Sequence, residues 1–203
     1  MDPAIEKVLH EFEARSARES DQMRGMPDME RHIDEFLLSV GPATGQLINL
    51  LAKEAGAEVI LEVGSSYGYS TIWLAEAARE SGGKVISLEI HPKKQQQARA
   101  AVEQAGLERV VDFRLGDARD SIAKMNERVD FVLLDLWKDL YIPCFDLFYP
   151  KLRPGALVVA DNMIEPESVR AYAEAYRRHI RTKPFIESVL LPVGSGLELS
   201  RRN

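Results

Sequence analysis

The chain holds one cysteine in 203 residues, Cys144, so it can form neither an internal disulfide nor a paired-cysteine zinc site. It lacks any apolar run near 18 residues and any charged-then-apolar leader. Those absences predict a soluble, reduced, cytoplasmic protein without a membrane partner. Positive charge is in the minority: 26 Lys and Arg stand against 32 Asp and Glu, a net charge of −6. That balance argues against a large phosphate-neutralising surface and so against nucleic acid as the main partner. There is no internal repeat, low-complexity tract or linker, and neither a G-x-G-x-x-G fingerprint nor a Walker A loop. A nicotinamide dehydrogenase loses its main support, the more so because His10, His32, His91 and His179 are scattered as surface or turn residues. What remains, 45% hydrophobic and 29% charged, is the composition of one ordinary globular domain, residues 1–203.

Ile5, Val8, Leu9 and Phe12 repeat at i, i+3, i+4 and i+7, the apolar stripe of a first helix that packs on the domain or on a second copy in a homodimer. Gly25, Pro27 and Asp28 punctuate, and a second helix is expected over Met29–Val40. Residues 1–40 read as a helical extension. Gly41-Pro42 then starts a third helix. After Gly56 short apolar runs alternate with helical stretches. The runs are Glu58–Val63, Lys84–Ile90, Val110–Leu115, Val129–Asp135 and Ala156–Ala160. The helices between and after them are Ser70–Glu80, Pro92–Ala105, Ala118–Asn126, Ile142–Leu152 and Glu167–Arg181. Alternation of this kind predicts an α/β domain with a parallel sheet covered on both faces. Only Gly194, Ser195 and Gly196 separate the last runs, Phe185–Val193 and Leu197–Ser200, which must therefore pair as an antiparallel hairpin.

Such a sheet binds ligands outside the carboxyl ends of its strands, so the residues that end each strand carry the functional information. The first run ends in Gly64-Ser65-Ser66-Tyr67-Gly68-Tyr69-Ser70, where the glycines permit a tight turn and close approach of a ligand. The second ends in Glu89, placed either to accept from ribose hydroxyls or to sit solvated at a strand end. The third ends in Asp117, a helix N-cap or an acceptor for an adenine amino group. The fourth and fifth should be neighbours, which brings Asp135 and Asp161 side by side with Asn162. Two adjacent carboxylates repel unless a cation or proton lies between them. Three oxygen donors without thiolate or imidazole suit Mg²⁺, or another divalent cation such as Mn²⁺ or Ca²⁺. Two N-caps and a turn asparagine would give the same spacing. Trp137 either faces a cationic ligand or fills the core.

These residues resemble the metal-dependent, S-adenosylmethionine-dependent O-methyltransferase family, and within it the catechol O-methyltransferase branch. The likeness runs from Phe36 to Leu199. It is most specific at Val40–Gln46, Leu61–Gly64 with Gly68–Ser70, Asp135-Leu136-Trp137-Lys138-Asp139, Ala160-Asp161-Asn162 and Gly196-Leu197-Glu198. The resemblance implies a Rossmann-like class I methyltransferase fold, a seven-stranded, mostly parallel sheet ending in an antiparallel hairpin. It implies the cofactors S-adenosyl-L-methionine and Mg²⁺. Asp135, Asp161 and Asn162 match the metal ligands and Lys138 the catalytic base. Glu198 matches the carboxylate that holds the substrate's second hydroxyl, and Glu89 the ribose acid. Val40, Glu62, Gly64, Ser66, Tyr69, Ser70, Ile90, Asp117, Ala118, Arg119, Asp135 and Trp137 fall at cofactor-binding positions. Phe36, Leu38 and Pro166 flank the aromatic substrate, which Lys138, Asn162 and Glu198 would contact. The N-terminal extension would form part of the cover. Ser66, Leu136 and the run Asp117–Arg119 depart from the catechol enzyme's residues.

The expected function is Mg²⁺-dependent methylation of a catechol-like vicinal dihydroxy aromatic. A phenol has a pKa of about 10, so catalysis needs a group that favours its anion. An alternative keeps the chemistry and takes a tRNA 5-hydroxyuridine as acceptor, using Arg170, Arg177, Arg178 and Arg181 as a local basic patch. A second alternative is a cofactor-binding protein without turnover.

Overall fold

The computed structural model describes residues 1–24, 26 and 32–203. The apolar runs become one sheet: β1 (Val59–Val63), β2 (Lys84–Glu89), β3 (Val111–Leu115), β4 (Val129–Leu134) and β5 (Leu152–Ala160) pair in parallel. β6 (Ile186–Leu191) and β7 (Leu197–Arg202) form the expected hairpin, and β7 lies between β5 and β6, antiparallel to both. The order is β3-β2-β1-β4-β5-β7-β6, which puts the reversal of strand order between β1 and β4. In register, Val63 pairs with Leu134 and Leu134 with Ala160. Gly64, Asp135 and Asp161 therefore leave the sheet as neighbours at its switch point.

Four helices, α1 (Pro3–Arg24), α2 (Pro42–Glu54), α3 (Tyr69–Ser81) and α4 (Pro92–Gln104), cover one face. Three more, α5 (Ala118–Lys124), α6 (Tyr141–Phe148) and α7 (Arg170–Ile180), cover the other. Along β1, Ile60 packs with the first group and Leu61 and Val63 with the second, as a strand buried on both faces requires. Each such buried aliphatic stabilises the domain by about 1.5–3 kcal/mol. Pro42 and Pro92 each open a helix where no N–H is needed. Asp117 caps α5 by accepting from Arg119 N at 2.8 Å. Among the described residues no helix is long and apolar enough to cross a membrane.

Three expectations resolve or change here. The stripe Ile5, Val8, Leu9 and Phe12 is buried in this domain's own core, so it offers no support for a homodimer. The helix expected over Met29–Val40 does not form where it is described: Ile33–Glu35 make one 3₁₀ turn and the chain then runs extended. Apolar spacing mimicked a helix there, but tertiary bonds hold the segment open. Leu37 N donates to Glu19 at 2.6 Å and Leu37 O accepts from Ser66 Oγ at 3.2 Å. Gly25, Pro27, Asp28 and the first part of that expected helix, residues 29–31, lie outside the described residues. The helix expected over Ile142–Leu152 ends at Phe148, because Pro150 lacks an N–H and the next turn tightens to 3₁₀.

Candidate active site

A groove of about 670 Å³ runs along the carboxyl ends of the strands, within the size range of small-molecule sites. Its floor depends on Gly64, at φ 97, where a Cβ would lie 2.1 Å from the Asp135 carbonyl oxygen. Only glycine lets the ends of β1 and β4 come this close.

At one end Asp135, Asp161 and Asn162 line the groove together with Lys138. Asp161 is 3% exposed and its Oδ1 has no hydrogen-bond partner among the described residues. Burial first, and then repulsion by Asp135, raises its carboxyl pKa to about 7. Asn162 sits at φ 57 and spends its amide nitrogen on Glu165 O at 3.2 Å, leaving the amide oxygen uncommitted. No group of three or more His, Cys, Asp or Glu side chains suited to a metal occurs among the described residues. The donor set is two carboxylates and an amide, and the orphaned oxygen of Asp161 fits a hard divalent cation that keeps other positions for water or substrate. Lys138 reaches the same place: its Nζ lies 3.2 Å from Asp135 Oδ1 and donates to Leu136 O at 3.0 Å and Tyr141 Oη at 2.6 Å. Tyr141, fully buried, donates in turn to Asp161 O at 3.1 Å. Burial raises its phenol pKa well above the ordinary value.

Farther along, Glu89 accepts backbone N–H groups from Ser66 (2.8 Å), Ile90 (2.9 Å) and His91 (2.9 Å). A carboxylate has about four acceptor sites, so one remains on Oε2 for a ligand hydroxyl. Ile90, Ala118 and Trp137 line the same stretch, and Trp137 is 51% exposed, so it is a wall and not a core residue. Asp117 also lines it, but its carboxylate is held by Arg119 Nε (3.1 Å) and Nη2 (2.6 Å). That pairing pulls its pKa down to about 2. Arg119 itself points away from the groove lining.

Between the Leu37–Val40 segment and the Gly64 turn lies a slot of about 10 Å³, roughly one water. Leu38, Val40, Gly64, Ser66, Tyr69, Ser70 and Asp135 line it. Most hydroxyls around it are engaged: Ser66 with Leu37 O, Tyr69 with Glu13 at 3.0 Å, Ser70 with Glu62 at 2.7 Å and Ser39 with Ser16 at 3.3 Å. The exception is Ser65, 2% exposed, whose Oγ has no partner among the described residues.

Pro166 and Leu38 line the groove as expected. Four expected site residues do not. Glu62 is fully buried beneath the turn, accepting from Ser70, Thr71 and Ser87, and so braces α3 on the sheet. Phe36 is buried off the groove, and Arg119 is spent on Asp117. Glu198 is fully buried against Arg177 and Arg181. The same contacts consume the proposed basic patch, since Arg178 faces Glu174 at 3.7 Å and Arg170 faces Glu167 at 3.4 Å. Residues not anticipated are Ser16, Glu19, Ser20 and Met23 of α1, with Tyr172 of α7, all in the groove wall, and Tyr141 and Ser65. The α1 residues sit on the polar side of their helix, where sequence alone reads a solvated face.

A sheet of this order, with its groove at the switch point and helices on both faces, is the Rossmann-like fold of class I methyltransferases. The model of the O-methyltransferase family matches residues 13–203, and the chain belongs to that family. It is 38% identical over 136 residues to a catechol O-methyltransferase of Niastella koreensis, a match covering 65% of this chain and 61% of that protein. Caffeoyl-CoA O-methyltransferase 2 of Populus trichocarpa is 28% identical over 206 residues, covering 91% of this chain and 83% of that one. Among solved structures, the O-methyltransferase from Bacillus cereus in complex with SAH superposes with a TM-score of 0.78 at 28% identity, covering 100% of this chain and 92% of that chain.

Proposed function

We propose that this chain uses S-adenosylmethionine and a divalent cation, Mg²⁺ first among them, to methylate a hydroxyl of a catechol-like aromatic. The observation that carries this reading is the buried, unpartnered Oδ1 of Asp161 beside Asp135 and Asn162, with the Lys138 ammonium anchored at the same spot. A divalent ion there would supply the positive charge that favours an ionised phenol. Asp135, Asp161 and Asn162 would hold it. Lys138 Nζ takes the phenol proton while the methyl carbon leaves sulfur and bonds to the phenol oxygen. Tyr141 and Leu136 O keep that nitrogen in place, which lowers the orientational part of the barrier. Glu89 supports the ribose, Ile90 and Trp137 the adenine, and the slot at Ser65 the amino-acid end of the donor. Residues 1–203 act as one methyltransferase domain, with α1 as part of the cover over the site. The tRNA alternative loses support because Arg170, Arg177, Arg178 and Arg181 each face a carboxylate.

The test is methyl transfer from labelled donor to catechol with Mg²⁺ and again in excess EDTA. Loss of turnover on chelation, restored by Mg²⁺, is expected; undiminished rates in EDTA would remove the cation from the reading.

A further inference from the structure

The carboxylate of Glu198 is fully enclosed, and both of its oxygens are engaged. Oε2 accepts from Arg177 Nε at 2.8 Å; Oε1 accepts from Arg181 Nη2 at 3.0 Å and Ser188 Oγ at 2.7 Å. The two arginines lie one turn apart on α7 and the serine lies on β6, so one side chain of β7 joins three elements. Turning it toward the groove would leave two guanidinium groups without their partner, a costly defect for a buried charge cluster. On the groove side, what stands near Asn162 is Pro166, Val169, Tyr172 and Ser195, which offer hydroxyls and apolar surface but no carboxylate. Asp135 and Asp161 belong to the cation set, and Asp139 is exposed, where water competes for any hydrogen bond it makes.

We infer that Glu198 is a strut between β7, β6 and α7, and that no buried carboxylate reads the second oxygen of the acceptor. Resting on the proposed function, this sets the substrate class: an aromatic hydroxyl beside a second oxygen that need not carry a proton, whether hydroxyl, methoxy or carbonyl. A site built around a carboxylate for that proton would reject the analogue lacking it by roughly 10⁴–10⁵. A site without one discriminates by about tenfold or less, the range of a small steric change.

The experiment compares kcat/KM for catechol and 2-methoxyphenol with the wild-type chain, Mg²⁺ and S-adenosylmethionine, and measures melting of Glu198→Gln and Arg181→Gln. Expected are rates on the two phenols within about tenfold. Glu198→Gln should melt on the order of 10 °C lower, as breaking a buried ion cluster in a domain of this size does. Arg181→Gln, a milder lesion that keeps the Arg177 pair, should melt slightly lower with the ratio between the two phenols unchanged. Rejection of 2-methoxyphenol by about 10³ or more would overturn the substrate claim, as would a tenfold shift of that ratio in Arg181→Gln. Unchanged melting of Glu198→Gln with a collapse of catechol turnover would overturn the strut. If neither phenol is methylated, the proposed function fails and the substrate claim with it, while the melting result still decides the role of Glu198.

Discussion

Two buried carboxylates sit almost side by side, at Asp161 just past β5 and at Glu198 on β7, whose Cα partner is Ala160. Each is essentially closed off from solvent. Glu198 takes three donors, two of them cationic, whereas Asp161 Oδ1 takes none among the described residues. Burial alone therefore says little about role. A saturated carboxylate is part of the architecture, and an unsaturated one beside a second carboxylate lacks a partner that the chain itself does not supply. Lack of a partner is not sufficient either. Thr44, Trp73, Gln95, Tyr176 and Ser200 also hold unpartnered buried groups, and none lines the groove or its slot. Position at the switch point and an open valence must coincide, and among these groups they do so at Asp161 and Ser65.

The largest test of this contrast removes the cation's neighbour. Lys138→Ala should lower kcat on catechol by roughly 10²–10⁴, the usual worth of a general base, with a much smaller change in donor affinity. Equal losses in kcat and in donor binding, read by calorimetry, would make Lys138 a structural residue like Glu198. Next in size is Glu62, saturated like Glu198 but by neutral hydroxyls from Ser70, Thr71 and Ser87. Burial lifts its pKa from 4.5 to about 7, with the hydroxyls opposing the shift. A carboxyl whose folded value is raised favours folding below its unfolded value, and that contribution is lost as pH rises through 7. Glu62→Gln, which cannot ionise, should gain stability relative to wild type by on the order of 3 kcal/mol between pH 4 and pH 8 in urea unfolding. A difference that does not vary with pH would mean the hydroxyls compensate Glu62 as fully as the arginines compensate Glu198.

The strands were legible because continuous runs such as Phe131-Val132-Leu133-Leu134 leave few other ways to be buried. Asp135 beside Asp161 was legible for the same reason, since consecutive parallel strands with a short crossover become neighbours. Glu198 was misread because its direction is decided by Arg177 and Arg181, which reach it only once α7 has packed on the sheet. The extended chain at Phe36–Val40 was hidden likewise: Ile33, Phe36 and Leu37 carry helical spacing, while the bonds that straighten them come from Glu19 and Ser66. Sequence patterning reports which residues are buried; it does not report which buried polar groups find each other.

A smaller effect separates Asp161 from Glu198 by stability alone. Asp161→Asn removes a like charge and an unsatisfied ionisable oxygen next to Asp135, so without added metal it should melt about 2–4 °C higher, equivalent to about 1 kcal/mol. Adding Mg²⁺ should no longer raise the melting temperature of this variant. Since Glu198→Gln is expected to move melting the other way, a common direction for both would dissolve the distinction between saturated and unsaturated carboxylates.

The smallest expected effect falls on Ser65, the unpartnered hydroxyl of the slot. Around it, Ser66, Tyr69 and Ser70 have already given their protons to Leu37 O, Glu13 and Glu62. The slot also adjoins the start of α3, where first-turn N–H groups lack helical acceptors and favour an anion. The amino-acid end of S-adenosylhomocysteine carries a carboxylate, and 5′-methylthioadenosine lacks that end altogether. Ser65→Ala should therefore weaken S-adenosylhomocysteine by about tenfold, or 1.4 kcal/mol, in calorimetry while leaving 5′-methylthioadenosine unchanged. Equal weakening of both ligands would mean that Ser65 only shapes the turn, and no weakening of either would leave Asp161 alone as the position where an open valence marks a ligand.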